Sequence, residues 1–150
     1  MKWKKKKKES FYMHKNDIDA ITMNTIQTAN DWITQANKQN ISNVLELTDP
    51  NIKIAGPRGE VTGSHVLEEW LKRANLQLTT LTTYAKKDRV MLEQQGRWYG
   101  ENNELEGEAV VYTVIKAADG KVNYLSRYDR KHEAFADSHL TEEDLHKAAD

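Results

Sequence analysis

The chain has 150 residues, no cysteine, 38% apolar and 30% charged residues, and a formal net charge of −1. That length fits one domain, and the lack of cysteine excludes disulfides, thiolate catalysis, zinc–cysteine sites and iron–sulfur clusters. No apolar run approaches the roughly 20 residues of a membrane-spanning helix, while four Trp and six Tyr supply bulk for a packed core.

Charge is concentrated at the amino end. Residues 1–12 hold six lysines (Lys2 and Lys4 to Lys8) against Glu9, so this stretch carries +5 and the rest of the chain −6. An acidic body repels phosphate backbones, so no nucleic-acid partner is expected for the domain. No apolar stretch follows the lysines, so they do not form a secretory signal. The expected location is the cytoplasm, without integral membrane contact. Residues 1–15 are expected to form a basic disordered leader, with three readings open. It is a solvated tail, an arm touching anionic lipid or nucleic acid, or a segment upstream of a true start at Met13. The last reading takes Lys8-Glu9, whose codons are purine-rich, as a translated ribosome-binding sequence.

From Ile18 to about Gln39 the apolar residues Ile26, Ala29, Ile33 and Ala36 step by 3, 4 and 3, which predicts a long amphipathic helix. Asn16 or Asp17 is its expected cap. A short helix follows over Ile41–Thr48, with Asn40 as cap and Ile41, Val44 and Leu45 inward, ended by Asp49-Pro50. Residues 51–55 and 60–62 read as a small hairpin around Gly56-Pro57-Arg58-Gly59. The glycines there are not a phosphate-binding loop, since no lysine follows Gly63. Ser64 opens a third helix whose apolar face is Val66, Leu67, Trp70, Leu71 and Ala74.

From Leu76 the period becomes two. Strands are predicted over 76–84, 89–99, 108–116 and 122–129, with Asp119-Gly120 as a tight hairpin turn. Val90, Leu92, Gln94, Gly96 and Trp98 share one side of the second of these. The domain is expected over 16–135. Residues 136–150 read as a tail carrying a short helix from Thr141 to Ala149, opened by Thr141-Glu-Glu-Asp144.

Helices gathered on one side of a mostly antiparallel sheet make an α+β arrangement. With that order on the page, the sequence resembles the nuclear transport factor 2-like superfamily, in its SnoaL-like and ketosteroid-isomerase-like branch. The resemblance rests on the first helix with Ala29 and Trp32, on Leu47-Thr48-Asp49-Pro50, and on the Gly56…Gly63 hairpin. It continues through Trp70-Leu71, Asp119-Gly120-Lys121-Val122 and Arg127-Tyr128-Asp129, covering about residues 18–135. It implies a cone: a curved sheet wrapped around the long N-terminal helix with two further helices, and an apolar pocket at the wide end. It also implies a homodimer through the outer face of the sheet. Members include isomerases, dehydratases, cyclases and non-catalytic binding modules, so fold alone assigns no chemistry.

The expected pocket residues are Trp32, Trp70, Tyr84, Gln94, Trp98, Tyr112 and Arg127, since aromatic area with a few aimed polar groups is what small-molecule sites need. Each aromatic also has a plain packing role open to it. Asp129 lies two residues from Arg127 and is expected on the same strand face. A carboxylate held ionised by a guanidinium could act as a general base, or the two could form a structural ion pair. Any activity is expected to be cofactor-free acid–base chemistry on a small apolar metabolite, such as isomerisation, dehydration or cyclisation. His132, His139 and His146 are spaced by seven, but Ser138–Thr141 reads as a break, so no metal site is expected.

Overall fold

The computed structural model describes residues 19–56, 59–73 and 75–147. The basic leader, the expected caps Asn16 and Asp17, and residues 148–150 lie outside the described residues. Helix α1 runs over Ala20–Asn37 and is capped instead by Asp19, whose Oδ1 accepts from Thr22 N–H at 2.8 Å. Lys87 Nζ lies 2.8 Å from the same carboxylate. The lysine and the cap bonds together hold the Asp19 carboxyl down at about 2. Thr22 Oγ1 also accepts from Lys87 N–H at 2.9 Å, which fastens the start of α1 to the turn between two later strands.

Helix α2 spans Ile41–Glu46, with Asn40 capping as expected: its Oδ1 accepts from Asn43 N–H at 3.2 Å. The helix ends before Thr48, because β1 already begins there and runs over Thr48–Gly56. Pro50 therefore sits inside a strand. It is tolerated because the register slips between Thr48 and Lys53, where no ladder N–H is required of it. β1 turns back on β2 (Gly59–Thr62), and α3 covers Ser64–Arg73.

The four long strands are β3 (Leu76–Lys86), β4 (Arg89–Tyr99), β5 (Leu105–Ala118) and β6 (Lys121–Tyr128). Asp119 and Gly120 both take positive φ, 54° and 74°, the geometry that joins twisted strands through two residues. The sheet order is β2-β1-β6-β5-β4-β3-β7; β1 pairs parallel with β6 and every other pairing is antiparallel. The inner face closes on α1, α2 and α3 around Ile26, Ala29, Trp32, Val44, Leu67, Leu92 and Ile115. This is the α+β cone, a curled, mostly antiparallel sheet wrapped on the N-terminal helix.

The end of the chain departs from the sequence reading. Lys131–Ser138 forms helix α4, which was not predicted. The predicted helix over 141–149 is instead a single 3-10 turn at Glu142–Asp144, followed by the two-residue strand β7 (Leu145–His146). Thr141 does make the expected capping box, but β7 then pairs with Thr83 and Tyr84 of β3, so the backbone completes a sheet edge rather than a helix. α4 lies on the outer face of the sheet. Ala134 and Leu140 pack there with Tyr84, Met91 and Val114 in a second apolar cluster. His139, at φ 58°, ends the helix, so the three spaced histidines do not share one helix face. No helix among the described residues is long and apolar enough to cross a membrane.

Candidate functional site

The α3 stripe read from the sequence does two jobs. Leu67 and Leu71 are buried in the core, while Val66 and Trp70 remain half-buried at the edge of the helix facing β1 and β6. Across from them, alternation along β6 turns Leu125 and Arg127 inward, and Ile54 of β1 completes the opposite wall. The result is a groove of about 390 Å³ between α3, β1 and β6, with Glu69 and Arg73 of α3 also on its lining.

Arg127 is the unusual member. Its Cζ sits 5.3 Å from the centroid of the Trp70 ring, a cation–π contact. Its Nε is buried and makes no hydrogen bond, the only such side-chain atom among the described residues. No carboxylate forms an ion pair with it among the described residues. Burial alone pulls its pKa from 12.5 to about 10, which still leaves it a cation at neutral pH.

Trp70 and Arg127 also line a second, much smaller space of about 20 Å³, with Trp32, Ala36, Leu71, Leu76 and Leu78 around it. That is room for about one water. The two side chains therefore act as a partition. On one side of them is the small space, on the other the open groove.

The other expected pocket residues fall elsewhere. Trp32 is buried in the core and donates Nε1–H to Thr48 Oγ1 at 3.0 Å. Gln94 is fully buried on the inner face, but its amide is already used. It donates to Thr80 Oγ1 at 3.1 Å and accepts from Thr113 Oγ1 at 2.7 Å, linking three strands. Trp98 is exposed and lies over Gly96; a Cβ at Gly96 would come within 3.2 Å of its ring. Tyr84 and Tyr112 belong to the outer cluster under α4, on the face away from the groove. Tyr84 stacks edge-on against Phe135 with ring centroids 5.0 Å apart. Asp129 lies one residue beyond the end of β6 and is exposed, and among the described residues it forms no ion pair with Arg127. The expected shared strand face fails because the strand stops at Tyr128.

A polar site on the outer face escaped the sequence reading. Asp137 of α4 accepts from Tyr124 O–H and from Ser126 O–H through one oxygen, Oδ2, each at 2.7 Å. Burial, then the bond to Asp137, pushes the Tyr124 phenol well above its ordinary range. Asn37 was missed as well. Its side chain bonds both the N–H and the C=O of Leu78, at 2.9 and 2.8 Å, imitating a neighbouring strand at the C-terminus of α1.

No protein-family model matches the sequence, and no curated protein matches it. Solved structures do match the fold. A protein from Jannaschia sp. CCS1 described as a SnoaL-like polyketide cyclase superposes with TM-score 0.66 at 12% identity, covering 81% of this chain and 95% of its own. A protein from Kribbella flavida described as a ketosteroid isomerase gives TM-score 0.64 at 14% identity, covering 73% of this chain and 80% of its own. TerC, crystallised with polyporic acid, gives 0.62 at 14% identity, covering 77% and 97%. The chain has the nuclear transport factor 2-like fold. Within that fold the groove lies between α3, β1 and β6, with Trp70 and Arg127 on its lining.

Proposed function

We propose that this nuclear transport factor 2-like chain binds a small, largely apolar molecule in the groove between α3, β1 and β6. One observation carries the reading: apolar walls from Ile54, Val66, Trp70 and Leu125 flank the half-buried Arg127, whose Nε is covered and unbonded, in about 390 Å³. Few polar groups in an apolar cleft is the general composition of small-molecule sites. The fold neighbours described as a cyclase and an isomerase, and the one crystallised with polyporic acid, support the same use of the cone.

A catalytic reading has one specific support. Glu69 and Arg127 line the same groove, so a carboxylate base and a cation for a developing enolate oxygen are both at hand. Proton abstraction beside a carbonyl, without a cofactor, is the reaction class that wall supports. Asp129, exposed beyond β6, would need to swing inward to serve instead.

The test uses the intact chain and N-phenylnaphthylamine, an uncharged apolar fluorophore. Saturable emission with one site per chain is expected. Val66→Trp, which fills the groove, should weaken that binding at least about tenfold with the fold intact by circular dichroism. Absence of saturable binding, or binding indifferent to the substitution, overturns the proposal.

We further propose that two copies pair through the outer face of the sheet. Helix α4 covers that face at Tyr84, Met91 and Val114, which leaves the end near Val110, where an exposed apolar side chain faces outward. Sedimentation equilibrium should return a dimer for the unaltered chain and a monomer for Val110→Glu, since a desolvated carboxylate opposes burial. A monomer in both cases removes the dimer.

A further inference from the structure

We infer that the groove selects small apolar acids, with the Arg127 guanidinium as the receptor for the ligand's carboxylate. The inference deepens the binding proposal and rests on it.

The argument begins with an imbalance. A buried charge is ordinarily paired, because leaving it alone forfeits its hydration without return. Arg127 is half-buried by area, yet its Nε has neither solvent nor a hydrogen-bond acceptor. Nearby carboxylates do not answer it. Glu68, next to Glu69 on α3, pairs with Lys72 at 3.3 Å. Glu69 lines the groove but forms no ion pair with Arg127, and Asp129 is exposed beyond the strand. Burial lowers the pKa of Arg127, the direction expected of a cation with no anion beside it. No hydrogen bond among the described residues uses the terminal N–H groups of Arg127 either, and an anion arriving in the groove would pair with those.

The geometry narrows the kind of anion. The Trp70 ring covers one side of the guanidinium, so a ligand is left to approach its N–H groups. Two parallel N–H···O bonds to a planar carboxylate are the arrangement a guanidinium favours. Phosphate is also recognised by arginine, but a dianion would have to shed its hydration against Ile54, Val66 and Leu125, with the Glu69 carboxylate on the same wall. A monoanion on an apolar body fits those walls better. Arg73, in the last turn of α3 and on the same lining, adds positive potential at the entrance.

Three matched probe pairs test it: benzoate, cinnamate and naphthoate, each against its own carboxamide, with phenyl phosphate as a fourth anion. All are measured by displacement of N-phenylnaphthylamine from the intact chain. At least one acid should bind at least about tenfold more tightly than its amide, and more tightly than phenyl phosphate. Arg127→Met, close in size and uncharged, should abolish the acid preference while retaining affinity for the amide. Equal binding of every acid and its amide overturns the inference and leaves the groove proposal standing. Failure of the fluorophore itself to bind sinks both. The acid–amide comparison on the unaltered chain decides the matter even if R127M does not fold. An acid preference surviving in a folded R127M would move the receptor role away from Arg127 and also overturn it.

Discussion

Replacing Trp32 by alanine is expected to lower stability by about 3–5 kcal/mol, enough to leave much of a marginally stable domain unfolded. Trp32 is only 1% exposed and stands where α1, α2 and β1 meet. Its loss opens a cavity that rigid strands on one side and two helices on the other cannot fill by collapse. It also removes the donor to Thr48 Oγ1, whose own hydroxyl donates to the Val44 carbonyl at 2.6 Å. That relay joins α1 to the end of α2 through the first residue of β1. Trp32→Phe keeps most of the volume and leaves Thr48 bonded to Val44, so it should cost only about 1–2 kcal/mol. Urea unfolding followed by circular dichroism separates the two. Equal, small losses for both variants would mean that the packing around Trp32 relaxes freely, against the density of the core.

The same residue shows why the pocket was only partly legible. Periodicity places Trp32 on the inner face of α1 and Trp70 on the inner face of α3, and both placements hold. Periodicity does not say how far a large ring stands from the next one, and that distance decides between core and wall. Here Trp32 closes the core and Trp70 stands at its rim. Alternation likewise gave β4 its two sides but not their partners. Val90, Met91 and Leu92 are consecutive and all buried, which is the pattern of a strand covered on both faces. Tyr84 and Tyr112 lie on the side of their strands that α4 covers, so they pack under that helix rather than line the groove.

Helix α4 itself offers little to a sequence reading. Its eight residues, Lys-His-Glu-Ala-Phe-Ala-Asp-Ser, bury only Ala134 and Ser138, and Arg130 before it supplies no side-chain cap. A helix with so narrow an apolar stripe forms because the sheet is there to receive it. The hairpin turn at Asp119-Gly120 and the whole of β4 were legible for the opposite reason. Their backbone geometry is dictated by the residues themselves and by an alternation long enough to count.

Substituting Asp137 by alanine should have the second large effect, and a local one. Its Oδ2 is the acceptor for both the Tyr124 and the Ser126 hydroxyls, and Ser126 is buried. Removing the carboxylate strips two charge-assisted bonds at once and leaves the Ser126 donor without a partner, a loss of roughly 2–4 kcal/mol. Tyr124→Phe removes one donor, leaves the Ser126 bond in place and should cost about 1 kcal/mol. The other ties of α4 are Ala134 in the outer cluster, the Phe135 ring against Tyr84, the Lys131 cation over the Tyr84 ring, the Arg89 bond to the Ser138 carbonyl at 3.1 Å, and the Lys131–Glu142 contact at 2.8 Å. None of them replaces the bonds to Tyr124 and Ser126, so amide hydrogen exchange over 131–138 should accelerate before the sheet unfolds. The groove is lined from α3, β1 and Leu125, Ser126 and Arg127 of β6; Ser126 is common to both sites, but the Asp137 carboxylate is not part of the groove lining. Fluorophore binding there should therefore persist in the Asp137→Ala chain. If binding disappears while β4 and β5 remain protected from exchange, β6 transmits the state of its outer face to Arg127, and the two faces of the sheet are not independent.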